Sequence, residues 1–190
     1  LPANSADLKE SLEADIIEIN DILNQFLDFA RGFQDEPKIP VNLGKLLKDI
    51  QTKHKRMGHN FMLKKKNIRT DIPKKLFIDL RILAFQRCID NLINNAFFYA
   101  KGKVILEASL LEESFTIAII DNGPGIPEDQ KSKLLLPFER VDEARGNKGG
   151  SGLGLTIADR IIKAHDGKLE LINRPEGGLT AKITIPIITA

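Results

Sequence analysis

Between Ser5 and Arg31 the residues Leu8, Leu12, Ile16, Ile19, Leu23, Phe26 and Ala30 are spaced 4, 4, 3, 4, 3 and 4 apart. That spacing draws one apolar stripe along an α-helix, and Glu10, Glu13, Asp15, Glu18, Asp21 and Asp28 fall outside it. The pattern predicts a helix with one packed and one solvated face. Packing on partner helices and packing on the chain's own core both satisfy it. Gly32, Pro37 and Pro40, mixed with charged residues, then interrupt the periodicity. This predicts a first unit at 1–33, a linker at 34–40 and a main domain at 41–190.

Within the main domain the periodicity predicts an amphipathic helix at Leu43–Lys55, short strands near Phe61–Lys65 and Lys75–Ile78, and a long helix at Leu80–Tyr99. Two β-branched, apolar runs, Lys103–Leu110 and Ser114–Asp121, flank three polar or mixed residues and predict a hairpin. A helix at about Gly152–His165 follows, then strands at Lys168–Asn173 and Leu179–Pro186 joined through Arg174-Pro175-Glu176-Gly177-Gly178. The expected class is α+β: a two-layer α/β sandwich with a mixed, largely antiparallel sheet, preceded by one long helix.

Composition narrows the functional classes. The 190 residues are 42% hydrophobic and 28% charged, ordinary for a globular protein. Lys and Arg number 28 against 26 Asp and Glu, too even for the broad positive field of a dedicated nucleic-acid binder. The single cysteine, Cys88, excludes an internal disulfide and a cysteine-based zinc cluster; its apolar neighbours predict a buried thiol. No apolar run approaches the ~20 residues of a membrane span. A first residue that is not Met suggests a piece of a longer polypeptide.

Three clusters carry chemistry. Asn91, Asn94 and Asn95 crowd the long helix, although asparagine is a poor helix former. Asn91 and Asn95 share a face, and their amide oxygens suit a hard cation such as Mg²⁺; a surface cluster is the plainer alternative. Asp121-Asn122-Gly123-Pro124-Gly125-Ile126 follows an apolar strand. An acid there accepts a hydrogen bond from an exocyclic amine, while glycines let a flat ligand approach; a tight turn explains it equally. Gly149-Gly150-Ser151-Gly152-Leu153-Gly154 opens a helix, whose free N–H groups and positive dipole end suit phosphate. A dinucleotide fingerprint is excluded because the preceding 140–148 is charged and loop-like rather than a strand.

In this order and spacing the three clusters resemble the Bergerat ATP-binding fold of sensor histidine kinases, Hsp90 chaperones, type II topoisomerase ATPase domains and MutL. Leu136-Pro137-Phe138-Glu139-Arg140 resembles the Pro-Phe-x-Arg box of the histidine kinase branch. The Arg-Pro-Glu-Gly-Gly-Leu-Thr turn is similar to that of EnvZ-type osmosensing kinases. The resemblance spans nearly the whole chain, with residues 5–31 similar to the second helix of a dimerisation stem.

The resemblance implies a protein-histidine kinase that uses ATP and Mg²⁺. It implies Asn95 as the metal ligand with Asn91 assisting, Asp121 on the adenine amine, and Gly123, Gly125 and Ile126 shaping the base slot flanked by Tyr99. Gly150, Gly152, Leu153 and Gly154 would cradle phosphate, and Phe138 and Arg140 would belong to a lid, with Arg145 and Lys148 as screening cations. Many relatives carry a basic residue three places after the metal asparagine, where this chain has Phe98; Lys101 is the next cation.

The acceptor histidine box of the family is absent, so this piece is expected not to phosphorylate itself. His54 and His59 lie in a basic run from Lys53 to Lys66, expected to be a solvated face, and His165 is expected to be a structural helix-end residue. The implied partners are a response-regulator receiver domain and a second copy of the full-length protein, without nucleic acid. The implied location is a cytoplasmic domain of an inner-membrane-anchored parent. Two alternatives are a non-catalytic ATP-binding regulatory module and a Bergerat-fold ATPase. The second would want an acid near Asn95, and the nearest is Asp90.

Overall fold

The structure, a computed structural model, describes residues 5–31, 33, 35–59, 61–66, 77–100, 102–111, 113–140 and 151–187. Helix α1 spans Ser5–Arg31, strand β1 Ile39–Asn42, α2 Leu43–Arg56 and β2 Met62–Lys66. Then come β3 Phe77–Leu80, α3 Ile82–Tyr99, β4 Ile105–Leu110 and β5 Ser114–Ile120. After two short 3₁₀ turns at Glu128–Gln130 and Lys133–Leu135 follow α4 Gly154–Lys163, β6 Lys168–Asn173 and β7 Leu179–Pro186.

Five strands form a sheet in the order β2-β4-β5-β7-β6, in which only β2 and β4 run parallel. One hydrophobic cluster joins the inner faces of β4, β5 and β7 to the apolar stripes of α2, α3 and α4. This is the expected two-layer sandwich with a mixed, largely antiparallel sheet. On α3 the stripe is Ala84, Phe85, Cys88, Ile89, Leu92, Ile93 and Ala96, all buried, and burying each large member is worth about 1.5–3 kcal/mol. Burial also pushes the Cys88 thiol well above its usual range.

A strand before α2, β1, was not anticipated; it pairs with β3, which overlaps the strand expected near Lys75–Ile78. Ile39 and Pro40, the last two residues of the predicted linker, lie in β1, whose only partner strand among the described residues is β3; proline is tolerated on such an edge. The rest of that segment is bonded too. The Glu36 carboxylate accepts the N–H groups of Leu83 (2.7 Å) and Ala84 (3.0 Å), giving α3 an acidic cap that its own N-terminal residue Arg81 does not supply. Lys38 pairs with Asp166 at 3.1 Å. Helix α2 is capped locally, by Asn42 Oδ1 accepting from Lys45 N–H at 2.9 Å.

The expected solvated face of the basic run fails at its histidines. His54 continues the Leu47, Ile50 stripe of α2 into the interior and is fully buried. Its Nε2–H donates to Asp90 Oδ1 at 2.8 Å, and Lys53 reaches Asp90 Oδ2 at 2.5 Å. Burial opposes ionisation of Asp90, but these two donors outweigh it and hold the carboxyl below its ordinary range. His59 stacks between His54 and Phe97, with ring centroids 5.6 and 4.4 Å away. His165 is the structural residue expected: its Nε2 accepts the Arg81 N–H at 2.9 Å, so its Nδ1–H donates to Ile161 O at 2.8 Å.

Candidate functional site

A cavity of about 420 Å³ lies between α3, the start of α4, the ends of β5 and β7, and segment 124–140. Its walls differ in chemistry. At the sheet end, Ile119, Leu179 and Ala181 make an apolar lining around Asp121. At the α4 end, Asn91, Asn95, Ser151, Gly152 and Gly154 make a polar one.

Asp121 follows β5 directly, so the strand pairing fixes its backbone. Its N–H donates to Leu179 O at 2.9 Å, and its carbonyl accepts from Arg174 Nη1 at 3.0 Å. The side chain is held as firmly: Oδ1 accepts the N–H of Gly123 at 2.7 Å and of Leu179 at 3.1 Å. Oδ2 has no hydrogen-bond partner among the described residues. Asp121 as a whole is 6% exposed, and this oriented acceptor at a cavity wall suits an amine donor, since an ionised carboxylate only accepts.

The close packing here depends on two glycines. A Cβ on Gly123 would stand 2.7 Å from Tyr99 O, and one on Gly178, at φ +98°, 2.2 Å from Asp121 O. Neither position accepts a side chain without moving the wall. Asn173, at the end of β6, clamps Ile126 by accepting its N–H at 2.9 Å and donating to its carbonyl at 2.6 Å.

At the other end α4 begins with Gly154, where a Cβ would be 3.7 Å from Asn95 Nδ2 and 3.8 Å from Asn91 Cβ. The asparagine pair therefore lies against the first turn of α4. No side chain caps that turn from the N-cap position, so its N–H groups and positive dipole end remain for an anion. Asn91 Nδ2 is buried with no hydrogen-bond partner, a second unmet donor on the same wall. Arg140 also lines the cavity, while Phe98 lines it with a ring that carries no charge.

Of the residues expected from sequence, Asn91, Asn95, Tyr99, Asp121, Gly125, Ile126, Arg140, Gly152 and Gly154 meet around this one cavity. Gly123 stands behind Asp121. Leu153 does not line the cavity: it is fully buried in the hydrophobic core, where its side chain anchors the start of α4. Phe138 is 60% exposed at φ +67° and donates its N–H to Gly152 O at 3.2 Å; its ring is not part of the lining. Lys101, Arg145, Lys148 and Gly150 lie outside the described residues. Sequence reasoning missed Gln25, which reaches the cavity from α1, and the supports Asn173 and Arg174. Asn173 and Arg174 carried a trace of signal as the border of a turn; Gln25 carried none.

A mixed sheet backed by helices, with this cavity between α3 and α4, defines the class: the Bergerat ATP-binding fold. Residues 81–189 match the model of the histidine kinase-, DNA gyrase B- and HSP90-like ATPase family, and the chain belongs to that family. Among curated relatives, the adaptive-response sensory kinase SasA of Prochlorococcus marinus (strain MIT 9313) is 32% identical over 126 residues, covering 63% of this chain and 34% of that protein. The alginate biosynthesis sensor protein KinB of Pseudomonas aeruginosa is 29% identical over 194 residues, 98% of this chain and 32% of that protein. The chain thus spans about a third of the length of these relatives. Among solved structures, the histidine kinase domain of the Escherichia coli osmosensor EnvZ aligns with a TM-score of 0.61 at 27% identity, covering 83% of this chain and 93% of that one.

Proposed function

We propose that this chain is the ATP-binding catalytic part of a sensor histidine kinase, which transfers the γ-phosphoryl group of ATP to a stem histidine and thence to an aspartate of a response-regulator receiver domain. The observation that carries this reading is the single cavity that joins an oriented carboxylate at one end to unmet amide and helix N–H donors at the other. In this reading the adenine amine meets Asp121, the base lies against Ile126 and Tyr99, and the phosphates run toward Asn91, Asn95 and the N-terminus of α4.

Phosphoryl transfer asks a protein for positioning and charge neutralisation more than for covalent help. Asn95, with Asn91 assisting, would hold Mg²⁺: neutral amide oxygens fit a hard ion that keeps waters and shares phosphate oxygens. Bound there, the ion supplies neutralisation of phosphate charge. The chain's own contribution is to orient the base through Asp121 and to offer N–H donors through Asn91 and α4.

The acceptor in this reading is a histidine outside this sequence. His54 and His165 are buried with both ring nitrogens engaged, and none of the three histidines lines the cavity. Asp90, the acid nearest Asn95 in sequence, is occupied by His54 and Lys53 and does not line the cavity, which weighs against its activating water in an ATPase. Helix α1 is read as the second helix of a dimerisation stem, in a homodimeric parent anchored at a membrane; among the described residues no helix is long and apolar enough to cross one.

Calorimetric titration of ADP and a non-hydrolysable ATP analogue, with and without Mg²⁺, tests the site. Saturable binding is expected, abolished in Asp121→Asn and stripped of its Mg²⁺ dependence in Asn95→Ala. Folded wild-type chain that binds neither nucleotide sinks the reading.

A further inference from the structure

We infer that Gln25, on α1, is a nucleotide-contacting residue whose amide donates to the terminal phosphate, so that the site is shared between α1 and the body that carries α3 and α4. This rests on the nucleotide reading above. Gln25 is the one lining residue from α1 among those described. Its Oε1 accepts the hydroxyl proton of Ser151, and Ser151 Oγ accepts the Leu153 N–H at 3.2 Å. The amide is thereby oriented, and its Nε2, a donor of two hydrogens, has no acceptor among the described residues.

Position decides which part of a nucleotide it meets. Gln25 enters the cavity beside Ser151, immediately before the first turn of α4, whereas the oriented acceptor Asp121 marks the sheet end. An N–H donor next to a helix N-terminus suits an anion. The docking that holds Gln25 there is specific. The Arg160 guanidinium lies 4.5 Å over the Phe29 ring and donates to Phe29 O at 3.2 Å, and Arg81 Nε donates to Phe33 O at 3.1 Å.

The test compares two ligands that differ by the terminal phosphoryl group. ADP and an imido-bridged ATP analogue, each with Mg²⁺, are titrated into wild type, Gln25→Ala and Gln25→Glu, with circular dichroism confirming the fold; alanine in a helix interior favours that fold. Gln25→Ala is expected to weaken the analogue about fivefold, the fold-change of one ordinary hydrogen bond, and to leave ADP within about twofold. Gln25→Glu is expected to weaken the analogue further, since a carboxylate there repels phosphate. Wild type that binds both ligands, with variants that match it or lose both ligands equally, overturns this inference alone. Wild type that binds neither removes the nucleotide reading and this inference together.

Discussion

Helices α1 and α3 carry apolar residues at the same three-and-four spacing, yet they end in opposite environments. On α3 the stripe from Ala84 to Ala96 is at most 5% exposed. On α1, Leu8, Leu12, Ile16, Ile19, Leu23 and Phe26 are between 47% and 64% exposed, and Gln25 and Phe29 near the C-terminal end bond to the body. Periodicity reports that a helix has a face to bury; it does not report where the partner is. One helix finds its partner within the chain, and the other leaves its apolar stripe exposed.

The sharpest way to break that contrast is to remove core from α3. Phe85→Ala is expected to destabilise the chain by about 3–5 kcal/mol, from lost burial and the cavity left behind, as read by urea unfolding. A loss below about 1 kcal/mol would mean that α3 is not the centre of the core.

A smaller effect comes from acid. Burial pushes the ring of His165 below its ordinary value of 6.5 against the opposing hydrogen bond to Ile161 O, and burial and the neighbouring His54 lower that of His59. The unfolded chain therefore takes up protons that the folded chain refuses. Their contribution is fully present above the ordinary histidine value and is lost as pH falls from there toward the depressed folded values. Both rings pack against α3 or its N-terminal boundary, through Arg81, Phe85 and Phe97, and α1 contains no histidine. Thermal melts from about pH 7.5 to about pH 5.5 are expected to show a falling Tm; a level profile would count against these two environments.

The smallest expected effect belongs to α1. Ile19→Ala, at a residue 64% exposed, is expected to change the stability of the monomer by no more than about 0.5 kcal/mol. A larger, concentration-dependent loss would show that α1 pairs between copies under the conditions used.

What was readable from sequence divides along similar lines. Strands β6 and β7 matched their expected bounds, and α2 and α3 came within a residue or two, because each pairs a clear periodicity with a local stop such as the Arg174–Gly178 turn or Gly102. Strand β1 was missed since a four-residue segment containing Pro40 shows no period of its own and exists through β3. The site motifs were visible as types in order, Asn91 with Asn95, then Asp121, then Gly154. Their supports were not, because Leu179, Arg174 and Asn173 act across the sheet on Asp121 and Ile126. His54 was misread for a related reason: a run of cations masked a core position that the helical period of α2 assigns.

Glu36 has a practical consequence for anyone recombining such proteins. Its carboxylate closes the first turn of α3, Phe33 O receives Arg81, and Lys38 reaches Asp166. The short connecting stretch therefore belongs, bond by bond, to the module that follows it. A chimera that grafts a foreign helix onto this module should cross over before Phe33. A crossover after Pro40 would leave α3 uncapped and β1 without its first two residues, and would yield a chimera whose module is frayed at both elements.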